Sequence, residues 1–154
     1  MEMLLISNGG LADALLDAMK GFFSAPELEA CCFPEGQQEK QVEELRTYFT
    51  EKMAEPEREC LVLCDIFGST AFNETAILVQ KMHLADRVLF ICGMNLPLVF
   101  KLYGLKDFAT ISLCCSLYND PAEPEHGIRI FSLKDRQDAA TEELLLEGKV
   151  LQAV

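Results

Sequence analysis

Basic residues are scarce in this chain: 13 lysines and arginines stand against 25 aspartates and glutamates, a formal net charge of −12. Such a surface repels phosphate backbones and anionic headgroups. It argues against nucleic acid or an anionic bilayer as principal partner and allows a basic protein surface. Acidic helix faces that merely keep a chain in solution would give the same balance. Histidine is scarcer still, with two in 154 residues, His83 and His126. No C-x-x-C pair occurs among the seven cysteines, Cys31, Cys32, Cys60, Cys64, Cys92, Cys114 and Cys115. An odd number set mostly in apolar runs reads as buried reduced thiols, not as a zinc site or a disulfide framework. No metal and no cofactor are expected. No apolar run nears 18 residues, and runs such as Val88 to Cys92 are strand length, so no transmembrane helix is expected. No basic region precedes Met3 and Leu4, which argues against a signal peptide. With no repeat, low-complexity segment or long linker, residues 1–154 are expected to form one domain.

What the chain does have is a core-forming half of hydrophobic residues and a regular alternation. Met3 to Ile6 reads as a first strand. Leu11 to Phe23 follows as a helix with Leu11, Ala14, Leu15, Ala18, Met19, Phe22 and Phe23 at three- and four-residue steps. Leu28 to Phe33 is a second strand, and Gln38 to Met53 a charged helix with Val42, Leu45, Tyr48 and Phe49 on one side. Cys60 to Cys64 and Arg87 to Cys92 are unbroken apolar runs, the pattern of central parallel strands covered on both faces. A helix from about Ala71 to Met82 joins them. Leu98 to Tyr103 and Asp107 to Leu117 are further helices, Asn119 to Glu125 a loop, Gly127 to Leu133 a late strand, and Asp138 to Glu147 a terminal helix before an apolar tail, Lys149 to Val154. Strands alternating with helices imply βαβ units. The expected fold is α/β, a mostly parallel doubly wound sheet of four strands with a late edge strand.

Polar residues collect where the strands end. The first strand runs into Ser7-Asn8-Gly9-Gly10, the third into Asp65-Ile66-Phe67-Gly68-Ser69-Thr70, and the fourth into Gly93-Met94-Asn95. In an open α/β sheet these loops gather at one edge, where ligands bind and helix N-termini favour anions. Ser7, Gly9, Gly68, Ser69 and Thr70 are therefore candidates for holding a phosphoryl group. The plainer alternative is that Asp65, Ser69 and Thr70 cap the next helix and the glycines only turn the chain.

Three of these segments carry a resemblance. Leu4-Leu5-Ile6-Ser7-Asn8-Gly9-Gly10-Leu11-Ala12, Leu61 to Asn73, and Gly93-Met94-Asn95-Leu96-Pro97-Leu98 are similar, in order and spacing, to motifs of the IIA component of the mannose/fructose/sorbose-type bacterial sugar phosphotransferase system. The likeness covers about Met3 to Leu117. It implies a cytoplasmic phosphohistidine carrier, peripheral to the membrane through its transporter. Such a carrier takes a phosphoryl group from HPr and passes it to a IIB component to drive sugar uptake. It implies a homodimer in which a late strand, here Gly127 to Ser132, crosses to the neighbouring sheet. It gives Asp65 the role of orienting carboxylate and puts Phe67, Met94 and Asn95 on the partner-facing side.

One position departs from the pattern in a way that bears on the chemistry. Where the family has its phosphoacceptor histidine, this chain has Asn8. A carboxamide nitrogen is no nucleophile near neutral pH. It can only donate hydrogen bonds, as its oxygen accepts them. Ser69 and Ala71 also stand where the family has glycine and proline. His83, on the approach to the fourth strand, belongs to the opposite end of the sheet, and His126 lies in a late loop. The expected function is thus a IIA-type component unable to carry phosphate on the usual residue. The alternatives are a regulatory or binding module on the same fold, and an unrelated α/β hydrolase-like enzyme with a serine or cysteine nucleophile. The carrier geometry requires the first and third strands to be neighbours. It also puts the Asn8 side chain within hydrogen-bonding reach of Asp65, directly or through one water.

Overall fold

Five strands form a single sheet in the order β2-β1-β3-β4-β5. They are β1 (Glu2–Asn8), β2 (Glu29–Phe33), β3 (Cys60–Cys64), β4 (Val88–Cys92) and β5 (Arg129–Ser132). The computed structural model describes residues 1–118 and 129–132. The expected loop at Asn119 to Glu125, His126, the helix at Asp138 to Glu147 and the tail at Lys149 to Val154 lie outside them. β1 to β4 are parallel, and β1 pairs with β3 in the register Leu4↔Val62 and Ile6↔Cys64. The required neighbourhood of first and third strands is met.

Helices α1 (Leu11–Lys20), α2 (Gln38–Lys52), α3 (Thr70–Lys81), α4 (Leu96–Leu105) and α5 (Ile111–Tyr118) complete the fold. Successive strand residues point to opposite faces, so each central strand feeds two cores. Ile6, Val62, Cys64, Phe90 and Cys92 pack under α2 and α3 with Leu45, Phe49, Phe72 and Val79. Leu5, Leu61, Leu63, Leu89 and Ile91 pack under α1 and α4 with Leu15, Met19, Leu98 and Leu102. Both faces are covered, which is why β3 and β4 are apolar throughout.

Several boundaries differ from the sequence expectation: α5 begins at Ile111, four residues after Asp107, and α4 runs on to Leu105. α1 stops at Lys20 because Gly21 caps it, its N–H bonding the carbonyl of Ala18. Phe22 and Phe23 then leave the helix and stack on Phe100 and Tyr103 of α4. α4 starts two residues early, at Leu96, because Asn95 caps it and Pro97 fits the first turn, where no N–H is needed. The late strand is present and antiparallel to β4, with Cys92↔Arg129 and Leu89↔Ser132. In the single chain it pairs with its own β4.

Candidate functional site

Three loops meet above the carboxyl ends of β1, β3 and β4, and main-chain bonds lock them together. The N–H of Asp65 donates to the carbonyl of Ile6 (3.3 Å), and the N–H groups of Gly93 and Met94 both donate to the carbonyl of Cys64 (3.0 Å each). The N–H of Gly9 reaches the carbonyl of Phe33 on the outer strand (3.4 Å). Each loop turns on a left-handed glycine: Gly9 at φ +69°, Gly68 at +78° and Gly93 at +91°.

Asp65 is the hub. Its Oδ2 accepts the backbone N–H of Asn8 at 2.8 Å. Its Oδ1 accepts from the Ile66 N–H (2.7 Å), the Ser69 hydroxyl (3.2 Å) and the Cys64 thiol (3.3 Å). A carboxylate has about four lone-pair sites, so these bonds fill most of its capacity. The Asn8 side chain makes no direct hydrogen bond to Asp65. The main chain of residue 8 makes that contact. The carboxamide oxygen goes instead to the N–H of Ala71, in the first turn of α3, at 3.0 Å. The reason is geometric. The last amide of β1 faces the end of β3 beside it, while the longer side chain reaches the open N-terminus of the next helix, whose free N–H groups attract an oxygen.

The remaining candidates divide by what they do. Ser69 is the N-cap of α3, its hydroxyl accepting the N–H of Phe72 at 3.3 Å while donating to Asp65. Thr70 is exposed at the first position of that helix. Ser7 is fully buried; its hydroxyl donates to the carbonyl of Gly9 and accepts the N–H of Ala12, both at 2.9 Å, and so closes the turn into α1. Asn95 is exposed and caps α4 through Leu98 (3.0 Å) while its amide donates to Gly93 (3.3 Å). Met94 is buried in the core under α1 and α4, and can offer a partner only its backbone. Phe67 is half-buried against Phe72, with ring centres 4.9 Å apart. Its neighbour Ile66 is the apolar side chain turned outward, 67% exposed. Nothing in the loop's sequence, which lacks a period, separates those two.

Two contributors escaped the sequence reading. Asn73 donates from Nδ2 to the carbonyl of Gly68 at 3.1 Å and holds the left-handed turn in place. Cys64 lies beneath the carboxylate and shares the site's hydrogen bonds. The neighbouring Cys92 thiol and burial both raise its pKa, so it stays a neutral thiol. Among the described residues, no cluster of three or more histidine, cysteine or acidic side chains could hold a metal ion. His83, with φ +56°, is exposed in the turn between α3 and β4, at the amino end of the sheet and away from the site. Also among the described residues, no helix is long and apolar enough to cross a membrane.

Comparison with known proteins bears on this edge. A family model described as EIIA-man, PTS system fructose IIA component, matches residues 2–116. No curated protein matches the chain. Among solved structures, phosphotransferase system component EIIA from Streptococcus agalactiae superposes with a TM-score of 0.58 at 17% identity, covering 72% of this chain and 83% of that one. A sigma-54 interaction domain protein from Enterococcus faecalis superposes at 0.56 with 12% identity, covering 77% of this chain and 95% of that one. At such identities these two likenesses are of fold.

Proposed function

The chain belongs to the family of PTS system fructose IIA components, and on that premise we propose that it occupies the IIA place in a sugar phosphotransferase system, docking with HPr and a IIB component but carrying no phosphate at residue 8. One observation supports the reading: residue 8, where the motif resemblance would put the phosphoacceptor, carries a carboxamide whose oxygen accepts the Ala71 N–H. Phosphoryl transfer needs a lone pair free to attack phosphorus. The amide nitrogen's pair is delocalised, and the oxygen's acceptor capacity is directed into the helix. Asp65, which in a carrier would orient an imidazole, here holds the loop through the N–H of residue 8.

The proposed partners follow from the family. So do a homodimer formed by exchange of β5 and a cytoplasmic location at the transporter. The same observation favours a second reading, a regulatory module that presents IIA's surface to its partners in one fixed state. A hydrolase-like activity has little to support it. Cys64 is a buried neutral thiol, and Ser7 is buried with both hydrogen-bonding functions used.

The test is incubation with phosphoenolpyruvate, the upstream kinase and HPr, followed by titration with IIB. We expect no phosphoryl label on the chain but measurable binding to IIB. Label at any residue overturns the non-carrier reading, and absence of binding overturns the docking reading. Asn8→His should gain an acid-labile label, as phosphohistidine gives, if the edge keeps its family geometry.

A further inference from the structure

Residue 71 decides what residue 8 can offer. Ala71 is fully buried in the first turn of α3, and its N–H donates to the Asn8 Oδ1 at 3.0 Å. As the second residue of that helix it has no carbonyl partner within the helix. The first bond back to the cap comes two residues later, from the Asn73 N–H to the Ser69 carbonyl at 2.9 Å. A proline at 71 would therefore cost the helix no bond of its own. Alanine in place of the resembled motif's proline is what supplies the donor.

The same donor would act on an imidazole. Asparagine Oδ1 and histidine Nδ1 are both attached to Cγ, so an imidazole at residue 8 in the same rotamer puts Nδ1 at the Ala71 N–H. A neutral imidazole has one nitrogen that donates and one that accepts. If Nδ1 accepts from Ala71, the proton sits on Nε2, which then has no lone pair to attack phosphorus. Asp65 selects the opposite tautomer. Among the described residues its Oδ2 accepts one bond, from the Asn8 N–H at 2.8 Å, and keeps a lone pair for an Nδ1–H. An Nδ1–H held there leaves Nε2 unprotonated and nucleophilic. Ala71 prevails in this contest. Its buried N–H is left unpaired without residue 8, whereas Asp65 already holds four donors.

We infer that Ala71 is a positioning residue whose N–H demands an acceptor from residue 8, and so disables even a histidine restored there. The inference rests on the IIA reading proposed above and deepens it, from one altered residue to a coupled pair. It makes Ala71 the point at which this edge departs from the geometry that a label on Asn8→His requires. With the N–H removed, an imidazole at residue 8 turns its Nδ1–H to Asp65. The Nε2 lone pair then forms the bond to phosphorus while the bond between phosphorus and HPr breaks, and that bond's electron pair leaves with HPr. The Nδ1 proton stays on the ring, held by Asp65.

The experiment compares Asn8→His with Asn8→His/Ala71→Pro in the full chain. Nitrogen NMR shifts of the ring, taken above the pH at which it becomes cationic, report the tautomer in the free protein. Label from phosphorylated HPr reports transfer. We expect the ring proton on Nε2 in Asn8→His and on Nδ1 in the double variant. We expect the double variant to take label at least about tenfold faster, the rate equivalent of one hydrogen bond. An Nδ1–H in Asn8→His, or equal labelling of the two variants while both bind HPr, overturns the inference and leaves the docking reading intact. If neither binds HPr, the docking reading falls and the tautomers alone decide the inference. Should the double variant fail to fold, the tautomer of Asn8→His decides it, Nε2–H in favour and Nδ1–H against.

Discussion

Asn8 divides its two polar ends between two neighbours, the backbone N–H to Asp65 and the carboxamide oxygen to Ala71. The first bond would survive any side chain at this position, and the second would not. Asn8→Ala should thus leave the Asp65 contact in place and unpin the first turn of α3. Capping losses of this kind cost about 1 kcal/mol, read as a lower urea midpoint with unchanged slope. Asp65→Ala removes the acceptor for Asn8, Ile66 and Ser69 together. Its expected cost is larger, about 2–3 kcal/mol by the same titration, because several donors lose one charged partner. Asp65→Asn, which keeps one carbonyl oxygen, should fall between the wild type and Asp65→Ala. An Asp65→Ala loss no greater than that of Asn8→Ala would show the carboxylate is no hub.

At the scale of elements, the edge depends on how each strand hands over to its helix. Ser69 and Asn95 cap α3 and α4 by the same device, a side-chain oxygen accepting the amide three residues on. The glycine turns before them admit few substitutions. Gly93 combines φ +91° with an N–H that donates to the carbonyls of both Cys64 and Asp65 at 3.0 Å. Any Cβ there meets the left-handed penalty, so Gly93→Ala should cost about 1–2 kcal/mol. Because this turn ties β4 to β3, the variant should also loosen the Asp65 loop. Faster amide exchange at Ile66 and Ser69 than in the wild type is the expected readout. Exchange unchanged at those amides would mean that the two loops are held independently.

For the whole molecule, the buried thiols predict how stability responds to alkali. Burial pushes the Cys31 and Cys60 thiols up to about 12, well above the ordinary thiol range. Below pH 9 the thiols are protonated in both folded and unfolded chains, and this contribution is fully present. Between pH 9 and about 12 the unfolded chain loses these protons first, so unfolding becomes easier as pH rises. Urea midpoints should fall across that window. A variant with Cys31 and Cys60 both replaced by alanine should lose this part of the slope, although it starts from a lower stability. The proposed exchange of β5 carries its own expectation, a sedimentation mass near twice the 17.2 kDa of the chain. Exchange would preserve the Cys92↔Arg129 register with the two strands coming from different copies.

Residue pattern alone was enough for the layers and the family. Unbroken apolar runs at Cys60–Cys64 and Val88–Cys92 require cover on both faces, and that cover needs the helices that alternate with them. The polar residues at three strand ends follow from the same alternation. What linear order could not determine was which atom of residue 8 would meet Asp65, or whether Ile66 or Phe67 would face outward. These depend on where α3 begins in space, because its open N–H groups compete for the Asn8 oxygen. Nor could it say which strand β5 would join or in which direction, because only the tertiary pairing sets it antiparallel beside β4 with Cys92 opposite Arg129.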